Sequence, residues 1–188
     1  MAARLSGKIR KENQLIDLTA KIRDIPDFPK KGIVFKDITP LLQDAESLRY
    51  AVDQLAEFAV AKKIDVVVGA EARGFILGAA LAYTLGAGFV PARKPGKLPF
   101  LTVAAEYELE YGTDSLEVHN DAIGPGTRVL VHDDLLATGG TARAKCDLVE
   151  KLGGEVVGVC FIVELDFLHG RDKISEYDIL SLIHFDGE

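Results

Sequence analysis

Apolar residues along this 188-residue chain fall into short continuous runs that alternate with stretches of helical spacing. Short apolar runs between turn signals predict buried strands, and apolar residues that recur every three or four positions predict helices. The runs predict strands at residues 64–69, 89–92, 128–133 and 156–163. The helical spacing predicts helices at residues 11–23, 44–62, 74–85 and 141–152. This order predicts an α/β fold whose central, mostly parallel sheet is flanked by helices.

Two segments interrupt the alternation. Residues 27–42 have no clear period and contain two prolines and a glycine, so they are predicted to form an ordered loop. Residues 99–123 alternate polar and apolar positions on both sides of the sequence YGT at residues 111–113. That pattern predicts a β-hairpin inserted between core strands. A hairpin that projects from the rim of a sheet can act as a lid over a site.

The carboxyl ends of three predicted strands carry polar segments. GAEARG follows the first strand, ARKPGK the second and DDLLATGGT the third. In open α/β sheets, ligands bind beyond the carboxyl ends of the strands. Because these ends bring cations, carboxylates and glycines to one rim, they predict a site for a polyanionic sugar.

The segment VLVHDDLLATGGTA at residues 129–142 defines this ligand more closely. Its glycines and threonines precede a predicted helix, where backbone N–H groups and the helix dipole attract a phosphate. Asp133 and Asp134 cannot hold that phosphate, but carboxylates bind sugar hydroxyls, with or without a bridging divalent cation. A ribose 5-phosphate satisfies both halves of the segment. Its phosphate is predicted to bind Ala137, Thr138, Gly139, Gly140 and Thr141.

Composition narrows the possible partners. The chain is 48% hydrophobic, which supports a single domain with one sizeable core, and its net charge is −7. An acidic chain lacks the basic face that nucleic acids require, so we expect no nucleic-acid partner. Cys146 and Cys160 lie in apolar patterns and are expected to be buried, reduced thiols. The chain has neither a long apolar run nor a signal peptide, which predicts no membrane association and a cytoplasmic location.

Several further motifs carry a resemblance to a known family. GIVFKDITPLL, GAEARGF, ARKPGKLP, ELEYG and VELDFLHGR occur here in the order in which type I phosphoribosyltransferases have them. The chain resembles most closely the members that act on adenine, over nearly its whole length from Asp27. The resemblance implies that family's fold and transfer of a phosphoribosyl group from 5-phosphoribosyl 1-diphosphate (PRPP) to adenine, with AMP and pyrophosphate as products. It also implies purine salvage as the role, Mg²⁺ as the cofactor and a homodimer as the assembly.

The same resemblance assigns roles within the chain. It implies an N-terminal helix and base-binding hood over about residues 1–42, and a hairpin lid over about residues 99–123. Within the lid, Glu110 matches the catalytic glutamate that manages the purine proton, and Tyr111 would seal the lid. Mg²⁺ would be held mainly through PRPP, with Asp133 and Asp134 as candidate protein ligands.

Pyrophosphate and adenine contacts are implied in the same way. The pyrophosphate residues would be Arg73, Arg93, Lys94 and Lys97, beside a non-proline cis peptide bond between Glu71 and Ala72. The adenine residues would be Phe35 and Leu165, stacked on opposite faces, and Val34 and Lys36, whose backbone groups would read the amino edge. His132 stands where the family has an aliphatic residue. A regular strand points it away from the face of Asp133, so it is interpreted as structural.

Two alternatives stay open on sequence. Another enzyme of the class is one, although hypoxanthine–guanine enzymes have an aspartate where this chain has Ala137, and orotate enzymes have TAGT instead of ATGGT. A PRPP-sensing regulator of the same fold that binds nucleic acid is the other. The acidic charge and Glu110 favour an enzyme over the regulator, and Ala137 with the ATGGT loop favours adenine over the other bases.

Overall fold

A computed structural model describes residues 16–108 and 113–187 of the chain. The strands are β1 (Arg23–Ile25), β2 (Phe35–Asp37), β3 (Val66–Ala70), β4 (Gly88–Ala92), β5 (Thr102–Glu108), β6 (Thr113–His119), β7 (Arg128–Leu136), β8 (Glu155–Leu165) and β9 (Ile179–Phe185). The helices are α1 (Thr39–Gln43), α2 (Ala45–Ala59), α3 (Gly74–Leu85) and α4 (Gly140–Lys151). Short 3₁₀ turns occur at Thr19–Lys21, Val60–Lys62, Asp166–Leu168 and Gly170–Ile174.

The central sheet has five strands in the order β4-β3-β7-β8-β9, and every neighbouring pair is parallel. This confirms the predicted α/β fold. The chain adds β4 on one side of β3 and β7 on the other, so the strand order reverses between β3 and β7. Such a reversal opens a crevice at the carboxyl ends of the two strands, where ligands bind.

Helices cover the two faces of the sheet unequally. On one face, α2 and α3 pack Leu55, Leu77 and Leu81 against the sheet in one apolar cluster. On the other face, α4 packs together with the β5–β6 hairpin, and Leu148 and Leu116 are completely or almost completely buried there. The hairpin is therefore part of the core at its base, which sets its position relative to the crevice.

Most predicted core elements are confirmed. Helix α3 has the predicted bounds, and α2 begins after Asp44, whose carboxylate accepts a hydrogen bond from the Ser47 N–H at 2.8 Å. The antiparallel β5–β6 pair confirms the predicted hairpin. Strand β9 was not predicted. It pairs with β8 at the edge of the sheet, and its mixture of half-buried and polar positions follows neither strand pattern cleanly.

The N-terminal predictions were wrong where the structure describes them. Residues 16–23 do not continue a helix: a 3₁₀ turn at Thr19–Lys21 is followed by β1. The Asp17 carboxylate accepts the Thr19 N–H at 2.9 Å, a local bond that competes with helix formation. Residues 11–15 of that predicted helix lie outside the described residues.

The predicted loop at residues 27–42 also contains regular structure. Strand β2 pairs with β1, and α1 begins just before Pro40. Proline is favoured in the first helical turn because its missing N–H has no helical partner there, so Pro40 starts a helix instead of breaking one. The Asp37 carboxylate accepts the Thr39 N–H at 2.9 Å and thereby supports the helix start.

Within the described part of the chain, none of the helices combines the length and the apolar run that a bilayer crossing requires.

Candidate active site

A cleft of about 390 Å³ opens at the carboxyl ends of β3 and β7, where the strand order reverses. It is bordered by the turn after β3, by the end of β7 and its following loop, and by Tyr107 of the hairpin. The predicted site residues that line it are Arg73, Lys94, Asp133, Asp134, Ala137, Thr138, Gly139, Gly140 and Thr141. The fold thus brings the predicted sugar, phosphate and pyrophosphate segments into one cavity.

The predicted phosphate loop lies between β7 and α4. Helix α4 begins at Gly140, so the unpaired N–H groups of its first turn face the loop. Gly139 has a φ of +79°, a left-handed conformation that glycine adopts without steric cost. A Cβ on Gly139 would overlap the Gly170 backbone, and one on Gly170 would overlap the Ala137 carbonyl. Close backbone packing against the turn at Gly170 therefore sets the shape of the loop.

The acidic pair is buried at the floor of the cleft, and its two carboxylates differ in their partners. Asp133 accepts the backbone N–H of Asp134 through Oδ1 at 3.0 Å and the Lys145 ammonium through Oδ2 at 2.7 Å. Asp134 Oδ2 lies 2.8 Å from Arg73 Nε, but without hydrogen-bond geometry, and it has no hydrogen-bond partner among the described residues. Asp134 Oδ2 is therefore ion-paired with Arg73 while its hydrogen-bonding capacity is unsatisfied among the described residues.

These partners divide the charge of the pair. Burial alone would raise the pKa of Asp133, but the Lys145 ammonium holds it below its usual range. Burial, together with the charge of Asp133, raises the pKa of Asp134. The folded protein therefore favours a negative charge on Asp133 and disfavours a second one beside it.

Lys145 was not among the predicted site residues, yet its side chain is completely buried behind the cleft. Its ammonium also donates to the His132 carbonyl at 2.7 Å. The sequence did hold a signal: position 145 lies three residues after Ala142 and four before Val149, on the apolar face of α4. A lysine on an apolar helix face that is buried needs a charged partner.

Arg73 lies at the start of α3, in the turn after β3, and the predicted cis bond between Glu71 and Ala72 is present in that turn. The Arg73 guanidinium is 4.7 Å from the centre of the Phe35 ring and pairs with Asp134. It therefore connects the predicted base segment to the acidic pair. Such a planar cation can grip phosphate oxygens bidentately.

The second cationic segment is only partly in the cleft. Among the described residues, Lys94 lines the cleft, whereas Arg93 and Lys97 do not. Arg93 donates to Glu71 at 2.8 Å and to the Lys97 carbonyl at 3.1 Å. Glu71, which the sequence did not single out, also accepts the Lys94 N–H at 2.6 Å. This carboxylate therefore ties the turn after β3 to the segment after β4.

Lys94 is connected to the hairpin. Its ammonium contacts Asp114 on β6 and the Tyr107 hydroxyl on β5, the latter at 3.1 Å. Burial alone would lower the pKa of Lys94, but its hydrogen bonds to Asp114 and Tyr107 raise it. The lysine is thus a positive charge at the cleft wall.

The predicted adenine residues do not line the cleft in the described structure, but Phe35 contacts Arg73, which does. Val34, Phe35 and Leu165 are half-buried, and Phe35 packs edge-to-face on Phe28 with ring centres 5.1 Å apart. Lys36 is buried, donates to Asp24 at 2.9 Å and lies over the Phe185 ring at 4.3 Å. The backbone of β2 is therefore held firmly beside Arg73, while the Phe35 ring stays accessible.

A polar network holds the end of β8 around Leu165. Glu164 accepts two hydrogen bonds from Arg171, at 2.9 and 2.5 Å, and one from Ser181 at 2.6 Å. On the other side of Leu165, Asp166 contacts His184 Nδ1 at 3.0 Å. Sequence spacing did not reveal this network because its members come from β8, β9 and the turn between them.

Glu110 and Tyr111 lie outside the described residues, so their predicted roles stay predictions. On either side of residues 109–112, β5 ends at Glu108 and β6 begins at Thr113. Tyr107 and Leu116 of the hairpin line the cleft, and Tyr107 is joined to Lys94 and Asp114. The base of the hairpin is therefore part of the cleft wall.

His132 is completely buried beside α3, with its Cδ2 near Gly78. Its Nδ1 donates to the Cys160 carbonyl at 3.1 Å, and burial lowers the pKa of His132 to about 4. The imidazole is therefore neutral at physiological pH. Its position away from the cleft agrees with its interpretation as structural.

The chain is similar to a known protein family and to several of its characterised members. The family model described as "phosphoribosyl transferase domain" matches residues 39–186. An adenine phosphoribosyltransferase from Clostridium perfringens is 61% identical over 171 residues, which cover 91% of this chain and 99% of the relative.

Solved structures give the same result. The crystal structure of adenine phosphoribosyltransferase from Thermoanaerobacter pseudethanolicus is 59% identical, with a TM-score of 0.87 over 89% of this chain and 98% of that one. The enzyme from Saccharomyces cerevisiae, solved with adenine and an imino-altritol bisphosphate, is 41% identical, with a TM-score of 0.82 over 88% of this chain and 96% of that one.

Proposed function

The chain belongs to the phosphoribosyl transferase family, and from that premise we propose that it transfers the phosphoribosyl group of PRPP to adenine, forming AMP and pyrophosphate in purine salvage. The observation that carries the proposal is one cleft in which the acidic pair, the glycine-rich start of α4, Arg73 and Lys94 meet. Adenine specificity rests on the relatives at about 60% identity and on Ala137, which cannot contact a base through a carboxylate.

Each part of the cleft has a task in this reaction. The N–H groups of Gly139, Gly140 and Thr141, with the threonine hydroxyls, hold the 5′-phosphate. Once Arg73 turns to the pyrophosphate, Asp134 accepts a ribose hydroxyl through Oδ2, and its negative charge favours the cationic sugar of the transition state. As the bond from C1′ to the pyrophosphate oxygen breaks and a bond to a purine nitrogen forms, Arg73 and Lys94 stabilise the departing pyrophosphate.

We assign the remaining roles from the resemblance and from neighbouring contacts. Glu110 on the hairpin lid takes the proton that the purine nitrogen loses, and Tyr111 helps to close the lid. Phe35 and Leu165 enclose the base, and the backbone of Val34 and Lys36 reads its amino edge within the hood formed by the N-terminal segment. Arg93 and Lys97 act on pyrophosphate only after leaving their contacts with Glu71 and each other.

The acidic pair offers Mg²⁺ few available oxygen ligands. The ion prefers oxygen ligands, and both Asp133 oxygens are already engaged by Lys145 and the Asp134 N–H. Asp134 Oδ2 has no hydrogen-bond partner among the described residues, but it is buried and lies 2.8 Å from Arg73 Nε, so it would bind an ion only after Arg73 moves away. We therefore propose that Mg²⁺ arrives with PRPP and is held mainly by its oxygens. When bound, it neutralises charge on the pyrophosphate.

Base specificity tests the proposed function. Adenine should give AMP, whereas hypoxanthine and guanine should be poorer substrates by up to about 10⁴-fold in kcat/KM, because a site that pairs with an amino group leaves its own groups unpaired against an oxo group. The measurement is pyrophosphate release with Mg²⁺, PRPP and each base in turn, with orotate and uracil as further controls. Comparable rates with hypoxanthine would refute adenine specificity.

A homodimer and a cytoplasmic location complete the proposal. Helix α3 carries apolar residues on its outer side as well as its inner side, with Ile76 49% and Tyr83 89% exposed. Such a helix favours a covered position, which a second copy would supply. The separate, buried thiols of Cys146 and Cys160 are compatible with a reducing compartment.

Sedimentation tests the dimer. The wild type should sediment at twice the chain mass, and Tyr83→Glu should shift it toward the monomer because a carboxylate would then be buried between two copies. A wild type that stays monomeric at micromolar concentration would contradict the assembly.

A further inference from the structure

Lys145 combines two properties that the proposed reaction does not yet use: complete burial and direct contact with the acidic pair. We propose that Lys145 is a positioning residue for PRPP, which fixes and neutralises Asp133 from behind so that the cleft accepts a polyanionic sugar. This inference rests on the proposed function, because it concerns the same ligand and the same site. It does not depend on which base is the acceptor.

Close contacts hold the Asp133 carboxylate in place. Asp133 Oδ2 is 2.7 Å from the Lys145 ammonium, and Oδ1 is 3.0 Å from the Asp134 N–H. A Cβ on Gly74, at the start of α3, would lie 2.6 Å from Oδ1, so the helix backbone packs directly on this carboxylate. Contacts on three sides therefore leave Asp133 little rotational freedom.

The same lysine also fixes the backbone. Its ammonium also donates, at 2.7 Å, to the carbonyl of His132, which precedes Asp133 near the end of β7. Because α4 starts at the phosphate loop and carries Lys145 one turn later, this bond ties the loop and the acidic pair to a single rigid helix. Lys145 thus links the predicted sites for the ribose hydroxyls and for the 5′-phosphate.

Lys145 also offsets negative charge in the cleft. PRPP carries negative charge at both ends, and two adjacent carboxylates would repel it. One buried ammonium cancels the charge of Asp133, and Arg73 stands 2.8 Å from Asp134. An unpaired buried charge is strongly unfavourable, so neither Lys145 nor Asp133 is stable in this place without the other. The arrangement keeps Asp134 as an acceptor for the ribose while it reduces the repulsion.

The experiment compares Lys145→Met with the wild type and with Lys151→Met, a matched control at the exposed end of the same helix. Lys145→Met should raise the KM for PRPP by about 10²-fold, the loss typical of a misplaced binding group, with the KM for adenine within about twofold. Lys151→Met should match the wild type in both constants. A Lys145→Met protein that is less stable but has an unchanged KM for PRPP would overturn the proposal in favour of a purely structural lysine.

A double-mutant cycle keeps the proposal testable if the single variant does not fold. Lys145→Met combined with Asp133→Asn removes both buried charges together. If Lys145 acts through Asp133, the double variant and Asp133→Asn alone should bind Mg²⁺-PRPP with affinities within about twofold in calorimetry. A difference of about tenfold or more would overturn the proposal.

Binding also separates this inference from the proposed function. A wild type that binds Mg²⁺-PRPP but forms no AMP would refute the adenine reaction and leave the Lys145 comparison intact. A wild type that does not bind Mg²⁺-PRPP would refute both.

Discussion

Glu110→Gln is expected to slow the chemical step of AMP formation by roughly 10²- to 10⁴-fold. The amide keeps the shape of the glutamate but cannot take the proton that the purine nitrogen loses. PRPP affinity should change little, because the acidic pair, the phosphate loop and Arg73 are untouched. Rapid-quench measurement under single-turnover conditions isolates the chemical step even if lid opening or product release limits steady-state turnover.

Glu106→Gln is the matched control for this variant. Glu106 lies on β5 of the same hairpin and is exposed, so its amide should leave single-turnover chemistry at the wild-type rate. If the Glu110→Gln rate stays within about threefold of wild type, proton transfer by Glu110 plays no part in the rate. Electrostatic stabilisation of the ribosyl cation and pyrophosphate would then be its main source.

Replacing Asp133 and Asp134 together by Asn should lower kcat/KM for PRPP by roughly 10²- to 10³-fold, the loss expected when groups that stabilise developing charge are removed. The variant loses the Asp134 acceptor for a ribose hydroxyl and the negative charge that favours a cationic sugar. Steady-state kinetics at varied PRPP measures the effect. An unchanged kcat/KM would exclude the acidic pair as the sugar site.

The stability of this double variant depends on Lys145. Relief of repulsion between two adjacent acids would by itself stabilise the fold, and the raised pKa of Asp134 agrees with such repulsion. Removal of the Asp133 charge, however, leaves the buried Lys145 ammonium without a counter-charge, with the His132 carbonyl as a remaining acceptor, which costs about 3–5 kcal/mol. We therefore expect Asp133→Asn to lower the free energy of unfolding and Asp134→Asn to leave it equal or higher.

Denaturant unfolding of the two single variants measures this difference. Asp53→Asn with Glu57→Gln, two exposed acids of α2, serves as the control for a general loss of negative charge. Equal stability of Asp133→Asn and Asp134→Asn would contradict the assigned ion pair.

Local patterns in the sequence determined the core elements and the phosphate loop. Continuous apolar runs marked the central strands β3, β4, β7 and β8, and helical spacing marked α2, α3 and α4, since burial acts on each element through its own side chains. The loop before α4 was recognisable because its glycines, hydroxyls and helix start are adjacent in the chain. The N-terminal assignments were wrong for two reasons: the local Asp17–Thr19 bond favours a 3₁₀ turn over a longer helix, and Arg23 is in a strand because β1 pairs with β2.

Tertiary structure alone decided which polar groups became partners. Lys145 meets Asp133 across 12 positions, Glu71 meets Arg93 across 22, and Tyr107 and Asp114 reach Lys94 from an inserted hairpin. The sequence gives the charge of each side chain. Its partner depends on how helices and strands that are far apart in the chain pack together. Burial makes these pairings matter more, because a charge removed from water is strongly unfavourable unless a counter-charge lies beside it.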